Sequence, residues 1–129
     1  MGNAISTPVI LITHGAAGRA MVAAVEEFVG PVHVVIAEIE IGAGGPAVAT
    51  AIEGIADKIA GKRALYLVDL DGSTACRLCQ AYGVVLTGVN LAMLMKLATC
   101  DRVLSSEELA GQLQQTGQRS ILVRSGESA

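Results

Sequence analysis

Aromatic side chains are nearly missing from this sequence: one Phe, two Tyr and no Trp in 129 residues. A surface that stacks single-stranded nucleic acid needs such rings, so that class is excluded. A basic footprint is missing too. The formal charge is −3, and no block of like charge is present, which argues against any nucleic-acid partner. No apolar run approaches the roughly 20 residues that a membrane-crossing helix needs, so direct membrane insertion is not expected. Met1 to Thr7 has neither a basic stretch nor a long apolar one and does not read as an export signal. Cysteine is sparse, at an odd count of three. Without an export signal these read as reduced thiols in a cytoplasmic protein.

What remains is aliphatic. Hydrophobic residues make up 52% of the chain, enough for a real core of small interlocking side chains. The length suits a single domain over residues 1–129, with residues 1–7 and 125–129 expected as flexible ends. Pro8-Val9-Ile10-Leu11-Ile12-Thr13-His14-Gly15 is the organising stretch. An apolar run rich in Val and Ile reads as a parallel strand buried on both faces. The polar triplet after it then lies at the strand's carboxyl end, where open α/β sheets bind ligands.

The rest of the chain alternates. Met21, Val22, Val25, Phe28 and Val29 predict one apolar face of a helix that ends at Gly30-Pro31. Val32 to Ile39 predicts a second strand. A glycine-rich loop leads into a helix from about Pro46 to Ala60, with Val48, Ile52, Ile55 and Ile59 inward. Ala64 to Asp69 predicts a third strand, and Thr74 to Tyr82 a helix capped by the preceding turn. Val84 to Thr87 predicts a fourth strand, and Leu91 to Ala98 a helix. Ser105 or Ser106, with Glu108 behind it, starts a helix to about Gln115, broken by Gly117. Ser120 to Arg124 predicts a last short strand at an edge, for which an antiparallel setting stays open. The fold class is therefore α/β: a doubly wound, mostly parallel sheet of order 2-1-3-4 with helices on both faces.

Two apolar strands end in ionisable residues, His14 and Asp69. In that order strands one and three are neighbours, so the two side chains meet at the switch-point crevice. A carboxylate accepting the Nδ1 proton would leave Nε2 as a nucleophile. Helix starts after Gly15 and Gly72, with the Ser73 and Thr74 hydroxyls, would offer donors to phosphate oxygens. Phosphoryl transfer asks mainly for positioning and charge stabilisation, and transfer between histidines calls for no metal and no cofactor. Plain alternatives stand beside this: a histidine as a polar loop residue, and Asp69 as a turn cap.

Three segments carry a family resemblance. Ile12-Thr13-His14-Gly15, then Leu67-Val68-Asp69 with Gly72-Ser73-Thr74, then Gly88-Val89-Asn90-Leu91-Ala92-Met93-Leu94 resemble, in order and spacing, the landmarks of the mannose-family IIA component of the bacterial sugar phosphotransferase system. The phospho-carrier subunit of dihydroxyacetone kinase is a poorer match. The resemblance implies that His14 takes phosphate from phospho-HPr and passes it to a IIB component, with Asp69 orienting it. Thr13, Gly15, Gly72, Ser73 and Thr74 would hold phosphate by motif position. It also implies a homodimer in which Ser120 to Arg124 is exchanged between subunits. The chain departs from the family at Asp71-Gly72-Ser73-Thr74-Ala75, where Asp71 adds negative charge. It carries no IIB domain, so the expected receiver is a separate chain, or else a regulatory protein that reads the state of His14. A third class is a small α/β protein that binds an anion without covalent chemistry.

Other candidates carry less. Cys76 and Cys79 form a C-x-x-C inside a helix, which suits packing better than redox or zinc chemistry. His33 falls within a strand rather than at its carboxyl end. Gly42-Ala43-Gly44-Gly45 lacks the lysine of a phosphate loop and reads as a mobile loop. Arg19 and Arg77 lie near helix starts, within possible reach of a phosphate or an acidic partner.

Overall fold

A computed structural model describes residues 6–40 and 42–126. Residues 1–5 and 127–129 of the expected flexible ends lie outside the described residues. The elements are β1 (Val9–His14), α1 (Ala17–Val29), β2 (Val35–Ile39), α2 (Gly45–Lys58), β3 (Ala64–Val68), α3 (Thr74–Cys79), β4 (Gly83–Leu86), α4 (Leu91–Thr99) and α5 (Ser106–Arg119). All strand pairs are parallel, in the order β2-β1-β3-β4.

The continuous apolar runs of β1 and β3 follow from burial on both sides. Side chains alternate along a strand. Val9, Leu11, Leu65 and Leu67 therefore meet α1, α4 and α5 through Val22, Val25, Leu94, Leu97, Leu109 and Leu113. Ile10, Ile12, Tyr66 and Val68 meet α2 and α3 through Val48, Ile52, Ile55, Cys76 and Cys79. Ile10, Leu11 and Ile12 are sealed from solvent, and burial of each such side chain contributes about 1.5–3 kcal/mol. This anchors β1, the strand that carries His14, more firmly than any edge.

Local chemistry sets the element ends. Asn90 accepts from the Met93 N–H at 3.0 Å and caps α4. Ser105, the first of the two expected candidates, caps α5 in a reciprocal box with Glu108. Pro46 stands in the first turn of α2, where a missing N–H costs nothing.

Several boundaries differ from expectation. Strand β2 starts at Val35 rather than Val32, because its pairing begins opposite Ile10 and β1 offers little before that, Pro8 having no N–H. Phe28 is 77% exposed. It sits roughly 60–120° round the helix from the residues of the buried stripe, by helical geometry, and that stripe is Gly18, Val22 and Val25. Gly117 does not break its helix, since α5 continues to Arg119. Its lack of a side chain serves packing instead: a Cβ there would lie 2.6 Å from Met93 Cε. The predicted strand at Ser120 to Arg124 is not formed. Ile121 to Ser125 has no regular structure, and Ile121, Leu122 and Val123 are 74%, 61% and 100% exposed. A strand needs a paired edge, and among the described residues the segment pairs with none.

Candidate active site

Strands β1 and β3 are hydrogen-bonded neighbours, in register from Val9 opposite Leu65 to Ile12 opposite Val68. His14 ends β1, and Asp69 follows β3 directly. Residues 55 apart in sequence are thus forced to one rim. The His14 backbone N–H donates to Asp69 Oδ2 at 2.8 Å. On the ring, Nδ1 stands 3.0 Å from Oδ2 and 3.1 Å from Oδ1. A carboxylate can only accept, so the contact favours the neutral tautomer with the proton on Nδ1 and the lone pair on Nε2. The His14 side chain remains 40% exposed and that of Asp69 27%. The imidazole is therefore gripped on one edge and open on the other.

His14 lines a cavity of about 330 Å³. Its other walls come chiefly from two segments at carboxyl ends of strands. The loop after β2 supplies Glu40, Gly42 and Ala43, and the segment after β3 supplies Leu70, Gly72, Ser73 and Thr74. The Ser73 oxygen accepts from the Cys76 N–H at 3.1 Å and caps α3, which leaves its own O–H to donate elsewhere. The expected constellation of His14, Gly72, Ser73 and Thr74 is brought together.

Two expected phosphate-holding residues are placed otherwise. Thr13 is fully buried, and its hydroxyl oxygen accepts from the Gly18 N–H at 2.7 Å. The reason is alternation: the residue before His14 on a strand points to the opposite face, here under α1. Gly15 has a φ of +59°, which glycine adopts without strain, and it turns the chain out of β1. Its N–H donates to the Ile39 carbonyl at 2.8 Å, so that donor is engaged by the protein itself.

Asp71 is exposed and does not line the cavity. Its Oδ1 lies 3.8 Å from Cys76 Sγ as acceptor of a weak thiol bond. Arg19 pairs with Glu38 at 3.1 Å rather than standing free. Cys76 and Cys79 are buried free thiols in the α2 and α3 side of the core, and burial with a neighbouring Cys76 pushes Cys79 up to about 12. Among the described residues no group of three or more His, Cys, Asp or Glu is placed to hold a metal ion. No helix there is long and apolar enough to cross a membrane.

Sequence reasoning missed Glu40 and Ala43 and set the glycine-rich loop aside. The available signal was positional: that loop follows β2, next to β1 in the sheet, so it opens on the same rim. The Gly-Val-Asn landmark proves to be architectural. Val89 N–H donates to the Val68 carbonyl at 3.1 Å, and Asn90 caps α4 while its amide also reaches the Gly117 carbonyl at 3.4 Å.

Comparison with known proteins agrees with this fold. The chain is similar over 94% of its length to a mannose/sorbose specific IIA subunit of the phosphotransferase system from Enterococcus faecalis, at 25% identity, 96% coverage of that chain and a TM-score of 0.84. Phosphotransferase system component EIIA from Streptococcus agalactiae shares the fold at 23% identity, with 91% and 96% coverage and a TM-score of 0.77. A PTS IIA protein associated with the fucose utilization operon of Streptococcus pneumoniae does so at 16% identity, with 93% and 94% coverage and a TM-score of 0.75. No curated protein matches the chain. The family described as the PTS system fructose IIA component, EIIA-man, matches residues 8–114, and the chain belongs to that family of phosphotransferase-system IIA components.

Proposed function

We propose that this protein is a phosphohistidine carrier of a sugar phosphotransferase system, with His14 as its covalent site. The observation that carries this reading is the grip of Asp69 on Nδ1 at 3.0 and 3.1 Å, beside a cavity that His14 itself lines. The Nε2 lone pair attacks the phosphorus of a phosphohistidine donor, phospho-HPr. A new N–P bond forms as the donor's N–P bond breaks, and the donor imidazole keeps that electron pair. The receiver, a IIB component, takes the phosphoryl group in the same way. Asp69 holds the reactive tautomer and offsets positive charge on the ring once it is phosphorylated.

Gly72, Ser73 and Thr74 are the groups we assign to the phosphate oxygens, the two hydroxyls as donors. Thr13 and Gly15 act one step back, by fixing the strand end. Residues 1–129 act as one IIA domain in the cytoplasm, where these partners are found. Two copies form a homodimer by exchange of Ser120 to Arg124. The exposed apolar side chains of Ile121, Leu122 and Val123, and the outer edge of β4, unpaired among the described residues, support that exchange.

The test is incubation with phosphoenolpyruvate, enzyme I and HPr, read by intact mass under neutral or alkaline conditions. One added phosphate is expected, absent in His14→Ala and lost in acid. No added mass with an active relay overturns the reading.

A further inference from the structure

A second polar site lies at the opposite end of the sheet from His14. It is built on Arg102, in the connection between α4 and α5. Its Nη1 donates to the His33 carbonyl at 2.7 Å and its Nη2 to the Thr7 carbonyl at 3.0 Å. The Thr7 N–H returns a bond to the Arg102 carbonyl at 2.8 Å, and the Thr7 hydroxyl donates to the Leu104 carbonyl. The guanidinium is therefore held in place. Its Nε is buried with no hydrogen-bond partner among the described residues.

No carboxylate pairs with this cation among the described residues. The adjacent Asp101 is turned away, with Oδ1 accepting from the Val103 N–H at 2.9 Å. Arg102 is half-buried with its Nε sealed from solvent, so its charge is partly stripped of water, and that burial lowers its pKa. A partly desolvated cation without a counter-ion is costly, and an anion placed beside it offsets that cost. Backbone carbonyls take one N–H on each terminal nitrogen. Each terminal nitrogen carries a second N–H, and such cationic donors make charge-assisted bonds to oxyanions.

Arg102 lines a cleft of about 320 Å³ together with Thr7, His33, Val9, Val34 and Val35. The cleft thus has a cationic end and an aliphatic wall. We infer that it is a binding site for a small organic acid, with the oxyanion head on the Arg102 guanidinium and an aliphatic body against Val34 and Val35. This is independent of the phosphocarrier reading, because no residue of the cleft lines the His14 cavity.

The test is a backbone amide NMR titration of the full chain with butyrate, with inorganic phosphate, and with uncharged butyramide, at fixed ionic strength. Saturable shifts at Thr7, Val34, Val35 and Arg102 with butyrate but not butyramide are expected. Phosphate acting at the same amides would widen the ligand class to phosphate esters, whereas phosphate shifts confined to His14, Ser73 and Thr74 would restrict the cleft to carboxylates. Arg102→Gln should weaken butyrate binding by about tenfold or more, as loss of a charge-assisted hydrogen bond implies. Unmoved amides in the wild-type protein overturn the proposal, as does a folded Arg102→Gln variant that binds butyrate as well as wild type. Should Arg102→Gln fail to fold, Arg102→Lys keeps the charge without the guanidinium's several donors. It should bind several-fold more weakly, and undiminished binding there counts against the site.

Discussion

Asp69→Asn isolates the electrostatic part of the proposed chemistry. The carboxylate makes two kinds of contact with His14: to the backbone N–H at 2.8 Å and to Nδ1 at 3.0 and 3.1 Å. An asparagine oxygen still accepts from the backbone N–H, so the strand end and the fold should persist. What is lost is the charge-assisted bond to the ring. Such bonds contribute about 1.5–3 kcal/mol. His14 and Asp69 side chains are 40% and 27% exposed, and solvent screening favours the lower end, about 1.5 kcal/mol. Since 1.4 kcal/mol is about tenfold, phosphorylation of His14 should slow by about tenfold. The assay is a quenched time course from phospho-HPr, read by intact mass at alkaline pH. In parallel, ¹⁵N shifts of the imidazole should show Nδ1 protonated in wild type and a mixed tautomer population in the variant. A folded Asp69→Asn protein phosphorylated at the wild-type rate would remove Asp69 from the mechanism.

Three further outcomes follow from other parts of the structure. Leu122→Asp with Val123→Asp should convert the proposed dimer to a monomer by analytical ultracentrifugation while the far-ultraviolet spectrum is kept; an unchanged mass would rule out exchange through this segment. Gly83→Ala should destabilise by about 3 kcal/mol or more in denaturant unfolding, because overpacking against rigid atoms is not relieved by rotamer change: its Cβ would fall 2.2 Å from the Ala64 backbone oxygen. Burial raises Cys79 from 9.0 to about 12, so the native thiol holds its proton where the unfolded thiol loses it. That stability is present below pH 9 and fades as pH rises toward 12, and Cys79→Ala should flatten the decline seen in alkaline unfolding curves.

Much of the fold was legible because burial writes itself into composition. Val9 to Ile12 and Ala64 to Val68 are apolar throughout since helices cover both faces, and their polar successors, His14 and Asp69, could be placed on one rim by sheet order alone. The helix starts near Pro46, at Leu91 and at Ser105 or Ser106 were also readable, since the signals that open a helix are local in sequence. Phe28 and Gly117 were misread for a common reason. Periodicity reports an apolar face but not where a neighbour ends, and a glycine's spacing does not say whether it frees the backbone or admits another helix.

By itself, then, the sequence determined the layered α/β arrangement, the strand order and the pairing of one imidazole with one carboxylate, because each follows from hydrophobic period and right-handed crossovers. Only the tertiary structure decided which donors face the cavity. Thr13 was turned under α1 by strand alternation, the Gly15 N–H was taken by Ile39, and Glu40 and Ala43 were brought in by a neighbouring strand. It also decided that Arg102 stands between two strand starts with no acidic partner among the described residues, since contacts between residues 7, 33 and 102 leave no periodic trace in the chain.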